Sequence, residues 1–568
     1  MKPFVRILAV ALIVAAVLNA PLTRAQQPTK EPEQPKLVET MDVRIINVDV
    51  VVTDKKGNIV PGLTKDDFEI FENNVPKPIT NFYEVAGDRA RNAVVDEIAP
   101  EPSPSQQPVR KDEVPENMKR RIIIYIDNLS LNPFNRNKVF AQMKEFVKTT
   151  MRPGDETMVA TFNRSMKVRV PFTRDVTQVN QMLDSILGES AMGVAAKSER
   201  KQTEDRIRES DNYETALSAA RTYAQSVEHD LRQSVSSINA LITTLAGVEG
   251  KKIMLLTSEG FPMQPGREAF YYLEEASREK GWQSGATLLE GMSFNSSNLI
   301  QSVAKTANAN GITMYTIHAA GLTGGSEMSA EHSRPTSFTV AQAAISNSTE
   351  SMQLIADMTG GLASIQTNNY AAAFDKIKRD LESYYSLGYR AGTERVDRQR
   401  YLNVRVKGKQ GYIVRNRQTF VEKSVFAEMS DRVVANLLYR VKANDMRVLV
   451  RTGAPRPSDD GYYVVPVEVQ IPMESLTLLP QGDVEYAGGF DVYVALANKD
   501  GDMSDVARKQ HQIRVPAADI ATVKGKFYTY SMDLLMERGL NRISIGVVDQ
   551  ISNTAGFSRE QIIARDTR

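Results

Sequence analysis

The stretch Arg121-Ile-Ile-Ile-Tyr-Ile-Asp127 decides the fold. An unbroken apolar run of this length reads as a strand buried on both faces, and such strands belong to parallel sheets covered by helices. Met158-Val-Ala-Thr-Phe-Asn163, Lys252-Ile-Met-Leu-Leu-Thr-Ser258 and Ile312-Thr-Met-Tyr-Thr-Ile-His318 read the same way. Amphipathic segments at 135–151, 174–187, 203–246, 296–309, 338–358 and 370–382 separate most of them. That alternation predicts an α/β class. Asn163-Arg164-Ser165 is too short for a crossover, so the strands on either side of it are expected to be antiparallel, one of them at the sheet edge. Ligands of such sheets bind beyond the carboxyl ends of the strands. Asp127 stands at one such end and Ser258-Glu259-Gly260 at another. Carboxylates there suit a divalent cation or a protein partner. No glycine-rich loop follows the first strand, which argues against a nucleotide.

Outward from this core the pattern changes. Residues 1–25 carry a basic start (Lys2, Arg6), an apolar run from Ile7 to Leu18 and small residues before Gln26. This order predicts a secretory signal peptide and export to the periplasm or beyond. Residues 26–41 are rich in Pro, Gln and charge and read as a disordered leader. Residues 42–86 form a small β unit with turns at Lys55-Lys-Gly-Asn58 and Asn73-Asn74. It is too small to bury a core alone, and its expected partner is 384–422, where hydrophobic alternation returns to a period of two. The prolines of 87–119 predict a linker. The α/β domain is expected over 120–383, with the charged stretch 188–212 as a partly mobile excursion leading into a long helix. A connecting helix is expected over 423–445. Seven strand signals in 446–568 predict an immunoglobulin-like β-sandwich.

Composition narrows the function. The formal charge is +1, and cleavage before Gln26 removes three of the 70 basic side chains and none of the 69 acidic ones, leaving −2. Such a balance gives no field to attract nucleic acid. Cysteine is absent, which excludes disulfides and thiolate metal sites. No later segment is apolar enough to span a membrane.

Several segments together resemble the secreted von Willebrand factor A-related proteins of acidobacteria. They are VDVVVTDKKGNIVPGLTKDDFEIFENNVPKPITNF (48–82), IIIYIDNLS (122–130), KKIMLLTSEGF (251–261), GITMYTIHAAGL (311–322), LIADMTGGLASIQTNN (354–369) and DLESYYSLGYR (380–390). The resemblance implies a von Willebrand A fold with flanking β-structure. That family holds Mg²⁺ or Ca²⁺ with an Asp-x-Ser-x-Ser loop, a threonine from a second loop and an aspartate from a third. Here the first loop is Asp127-Asn128-Leu129-Ser130-Leu131, so leucine stands at both serine positions. Asn128 and Ser130 are the substitute oxygen donors, Thr215 is the second-loop candidate, and Glu259 stands where the family often has aspartate. With two hydroxyl ligands missing, the expectation is a degenerate edge with no resident cofactor, a bound Mg²⁺ or Ca²⁺ being the alternative.

Other signals have simpler readings. His229, His318, His332 and His511 lack zinc-site spacing. No nucleophile elbow or phosphate-binding loop is present. Tyr384, Tyr385 and Tyr389 alternate as core aromatics do. Arg395 to Lys409 carries six cations that suit a solvated strand face. The expected function is a non-enzymatic interaction or adhesion module with a protein or cell-surface ligand. A secreted hydrolase with an unrecognised site, or a structural envelope component, are the alternatives.

Overall fold

The computed structural model describes residues 45–86, 89–95, 119–283, 285–322, 337–390, 396–408, 411–439 and 443–565. The expected signal and leader segments, and most of the expected linker, lie outside them.

The centre is a six-stranded sheet. Its strands are β1 (Arg120–Asp127), β2 (Glu156–Phe162), β3 (Met166–Thr173), β4 (Lys251–Ser258), β5 (Ile312–His318) and β6 (Ala363–Ser364). The spatial order is β3-β2-β1-β4-β5-β6. All pairs are parallel except β2–β3. The order therefore reverses between β1 and β4, and at such a switch point the strand ends open a crevice.

The helices are α1 (Pro133–Thr150), α2 (Val176–Leu187), α3 (Gly193–Glu209), α4 (Tyr213–Thr244), α5 (Arg267–Lys280), α6 (Thr287–Ser293), α7 (Ser297–Ala309), α8 (Phe338–Thr359) and α9 (Tyr370–Glu382). Strand periodicity sorts β1 into two cores. Ile122, Ile124 and Ile126 pack with α1, α2 and α9 on one face. Ile123 and Tyr125 pack with α4 and α7 on the other. Gly361 turns the chain after α8, where a Cβ would meet the Met314 carbonyl at 2.0 Å.

A third core lies apart from these two. α4 has 32 residues, about 48 Å of helix, whereas an eight-residue strand spans about 26 Å. Its second half covers the sheet through Leu231, Val235, Ile238 and Leu241. Its first half packs instead with α3 and α5 around Ile207, Leu217, Tyr223, Phe270 and Leu273. The stretch expected to be a partly mobile excursion is thus largely the helix α3, which begins ten residues before the helix expected from 203. α3 has almost no apolar stripe, because among its residues only Gly193, Thr203 and Ile207 are buried. Its charged composition hid it.

The flanking strands come from both ends of the chain. Ser383–Arg390 lies between Ile45–Thr53 and Ile79–Ala86, antiparallel to both. Gln399–Val406 pairs with Phe68–Glu72. The two resulting sheets enclose one core that includes Val48, Val50, Phe68, Phe82, Tyr385, Leu387 and Val404. The expected linker is partly strand: Arg89–Val95 pairs with Ile79–Ala86. Gly87-Asp88 is a hairpin-type dipeptide in the sequence, and RARNAVV follows it, so the proline-rich part begins only later.

A tenth helix, α10 (Val425–Tyr439), leads to two further sheets around a core of Val465, Val467, Phe490, Val492, Ile545 and Val547. α10 packs Met429, Val433 and Leu437 on this part. Tyr439 reaches Phe172 and Thr244 of the α/β domain. Lys251, at the amino end of β4, pairs with Asp49 at 3.0 Å and lies over the Tyr384 ring. These contacts engage the amino ends of the central strands and leave the carboxyl ends to the helical layer. Among the described residues, no helix is long and apolar enough to cross a membrane.

Candidate functional site

Three loops meet at the switch point. The first follows β1 and holds Asp127, Asn128 and Ser130. The second, 188–193, joins α2 to α3. The third follows β4 with Ser258, Glu259 and Gly260. Their backbones are tied together: Met192 N–H donates to Asn128 O at 2.8 Å and Gly193 N–H to Leu131 O at 3.0 Å. Only glycine fits at 193, since a Cβ there would lie 2.3 Å from the Ser130 carbonyl oxygen. Gly260 is equally confined against Ser348 of α8 and has φ +102°.

Asp127 is 2% exposed. Its Oδ2 accepts from the Ser258 hydroxyl at 2.8 Å. Its Oδ1 is buried with no partner among the described residues. Burial holds its carboxyl above the usual carboxylate range, against the opposing pull of Ser130 and Ser258. The Ser130 and Ser258 hydroxyls lie 2.9 Å apart. Ser130 Oγ also accepts from the Glu259 amide at 3.0 Å.

Glu259 is turned toward α1. Its Oε1 accepts from the Asn132 amide at 2.7 Å and from Asn135 Nδ2 at 2.9 Å, so it neutralises the start of that helix. Its Oε2 lies 3.9 Å from Lys197 Nζ on α3. Asn128 Oδ1 accepts from the buried Arg136 at 3.3 Å. His318, at the end of β5, is buried and lowered to about 4. Desolvation is the main cause, a backbone hydrogen bond to Glu259 opposes it, and the charge of Lys197 adds to it.

The structure thus brings Asp127, Asn128, Ser130 and Glu259 together. It does not bring Thr215 to them. Thr215 sits in the first turn of α4, where its amide and hydroxyl both bond Asn212 Oδ1 at 3.0 Å. α3 intervenes in the chain, so the loop that reaches the site is 188–193. The two leucines also have definite places. Leu131 points into the core under α1 and Leu129 into the core under α4. Ser258, Lys197 and His318 complete the cluster and were not foreseen as site residues. Ser258 and His318 were findable as polar residues closing buried strands, whereas nothing in the sequence ties Lys197 to Glu259.

The donor set is thin for a hard cation. Mg²⁺ takes six oxygens and Ca²⁺ six to eight. The side chains here offer Asp127 Oδ1, two hydroxyls that lie within hydrogen-bonding distance of each other, and a Glu259 oxygen facing an ammonium. Around the cluster exposed apolar side chains stand among charged ones, with Lys138 Nζ 4.1 Å from the centre of the Phe134 ring. Phe134 of α1, Val194 of α3 and Leu322 beyond β5 are 67%, 55% and 65% exposed.

No protein-family model matches the chain, and no curated protein matches it. Several solved structures are similar. One is an aerotolerance-related membrane protein from Bacteroides fragilis NCTC 9343 carrying multiple mutations to serines, at 14% identity over 46% of this chain and 98% of that one, TM-score 0.25. Another is the vWF domain of the type V pili tip protein Mfa5 from Porphyromonas gingivalis, at 12% identity over 47% and 95%, TM-score 0.24. The pilus adhesin SpaC from Lactobacillus rhamnosus GG, in its open conformation, is 9% identical over 88% and 56%, TM-score 0.25.

Proposed function

We propose that this chain is an exported, non-enzymatic interaction module. In this reading a von Willebrand A-like domain, held between two β-sandwiches, presents the carboxyl edge of its sheet to a protein or cell-surface ligand. It does so without a resident divalent cation. The observation that carries the reading is the position of Phe134, Val194 and Leu322. Phe134 follows the first loop, Val194 follows the second and Leu322 lies beyond β5, and each is more than half exposed. Exposed apolar side chains around a rigid polar centre suit a protein partner, with burial of the apolar groups supplying affinity. Leucines in place of hydroxyls, and Lys197 beside Glu259, support a cation-free edge.

The non-enzymatic part has its own support. The hydroxyls of Ser130 and Ser258 bond each other and their neighbours Asp127, Glu259 and Gly260, so neither is paired with the His318 ring. A histidine held near 4 is also a poor base at neutral pH. Export rests on the basic, apolar and small-residue order of residues 1–25.

A photo-crosslinking residue at position 134, presented to intact cells of the source organism, tests the proposal. A saturable protein adduct is expected, unchanged by EDTA. The unlabelled natural chain should compete for it, and the Leu322→Asp chain should compete poorly. Absence of any saturable adduct, or an adduct that requires Mg²⁺, would overturn the reading.

A further inference from the structure

A second surface lies far along the chain. The strand Phe527–Met536 pairs with Tyr463–Pro472 over ten consecutive residues with no shift of register. Among the described residues no strand pairs with its other side. An open edge of this kind exposes unpaired N–H and C=O groups to any extended chain. Proteins usually guard such an edge with lysine, proline, a bulge or a short strand. The sequence FYTYSMDLLM carries none of these, and Asp533 is its single charge. The edge strand of the facing sheet, Ala507–Pro516, is different. It carries Arg508, Lys509 and Arg514, and it ends in Pro516.

The unguarded strand is complementary to itself. Phe527, Thr529, Ser531, Asp533 and Leu535 face outward, and Phe527 and Leu535 are each 49% exposed. Tyr528, Tyr530, Met532 and Leu534 face the core as partly buried side chains. An antiparallel partner must keep the two faces distinct, since a one-residue slip inverts every side chain. Placing Ser531 on a two-fold axis puts Phe527 opposite Leu535 twice and Thr529 opposite Asp533 twice. On the inner face it puts Tyr528 opposite Leu534 and Tyr530 opposite Met532. Slipping by two residues in either direction places Phe527 opposite Asp533, or leaves Phe527 without a partner in the strand. Only the Ser531-centred register covers both exposed apolar side chains and opposes no like charges.

We infer that this strand joins two copies of the chain edge to edge about a two-fold axis at Ser531. The pairing extends the four-stranded sheet across the dyad and makes about eight to ten main-chain hydrogen bonds. Aromatic–aliphatic pairs at both ends fix the register. The dimer leaves the Asp127 edge free in both copies, so it is independent of the ligand proposed there and doubles the valency of the molecule.

Sedimentation equilibrium of the mature chain over a range of concentrations tests this. A monomer–dimer equilibrium is expected. Ser531→Lys sets two ammonium groups opposite each other on the axis and should raise the dissociation constant at least about tenfold. Its side chain points to solvent in the monomer, so circular dichroism and the melting profile of the monomer should be unchanged. Phe527→Lys and Leu535→Glu should each weaken the dimer. The double variant should regain affinity, because the new ammonium and the new carboxylate face each other across the axis. A chain that stays monomeric to about 100 µM overturns the inference. So does a dimer whose dissociation constant is unmoved by Ser531→Lys, and so does a double variant no better than the singles.

Discussion

Leu129 and Leu131 leave the first loop in opposite directions, one into each core of the central sheet. They are therefore structural residues standing at the positions where the resembled family has ligands. Leu131→Ser should cost about 3–5 kcal/mol, from the lost apolar burial and a hydroxyl left in the core, as read by urea denaturation of the α/β domain's tryptophan-independent circular dichroism signal. A cost under about 1 kcal/mol would show that the loop turns easily. His318 supplies a second residue-scale prediction. Its folded-state value is about 4 against 6.5 for the free side chain. Between these values the unfolded chain binds a proton that the folded chain does not, so stability falls as pH drops from about 6.5 to 4. The loss approaches about 3 kcal/mol. Asp127 acts in the opposite sense, because a raised carboxyl value makes its contribution grow on acidification. Comparing the natural chain with His318→Asn isolates the histidine: the variant should lose less stability over that window, and parallel pH profiles would contradict the assignment. At this scale the sequence was legible where a polar residue ends a buried strand, as at Asp127 and Glu259. It was illegible where tertiary approach alone makes the contact, as at Lys197. Thr215 was misplaced because the helix preceding it could not be read.

α3 is the element that most alters the edge. It seats Gly193 on the backbone of Ser130 and Leu131, and it sends Lys197 toward Glu259. A methyl group at 193 cannot be accommodated without moving that backbone. Gly193→Ala should therefore release the start of α3 and destabilise the domain by about 2 kcal/mol or more. Hydrogen exchange should rise in 188–200 and stay unchanged in α9, and equal protection in both chains would refute the seat. The sequence disclosed the long central strands because a continuous apolar run has few alternative readings. It concealed α3, whose buried face is nearly empty of large apolar residues. It also concealed α5, although Phe270, Leu273 and Ala276 recur at helical spacing. The glycine before α5 offers no side-chain cap, so the usual start signal is missing.

At the scale of the whole molecule the chain leaves one pair of sheets, builds the α/β domain and returns to the same pair. The core they enclose draws on Val48 and Phe82 from one side of the excursion and on Tyr385 and Val404 from the other. Deleting 45–95 should expose the Ser383–Arg390 strand along both edges and give aggregated protein. Soluble, cooperatively melting protein would contradict that dependence. The pairing could be anticipated because neither segment has the area for a core alone; strand order could not, since register depends on the packed whole. At the edge of the sheet Asp127 is a buried carboxyl that accepts from the Ser258 hydroxyl, and the binding proposed there needs no divalent cation. Thermal melts of the chain from Gln26 onward, in EDTA and in millimolar Mg²⁺ or Ca²⁺, decide this, because an ion bound only to the folded state must raise the melting temperature. The expected curves superimpose within about 1 °C. A rise of several degrees with Mg²⁺ that disappears in Asp127→Asn would contradict it.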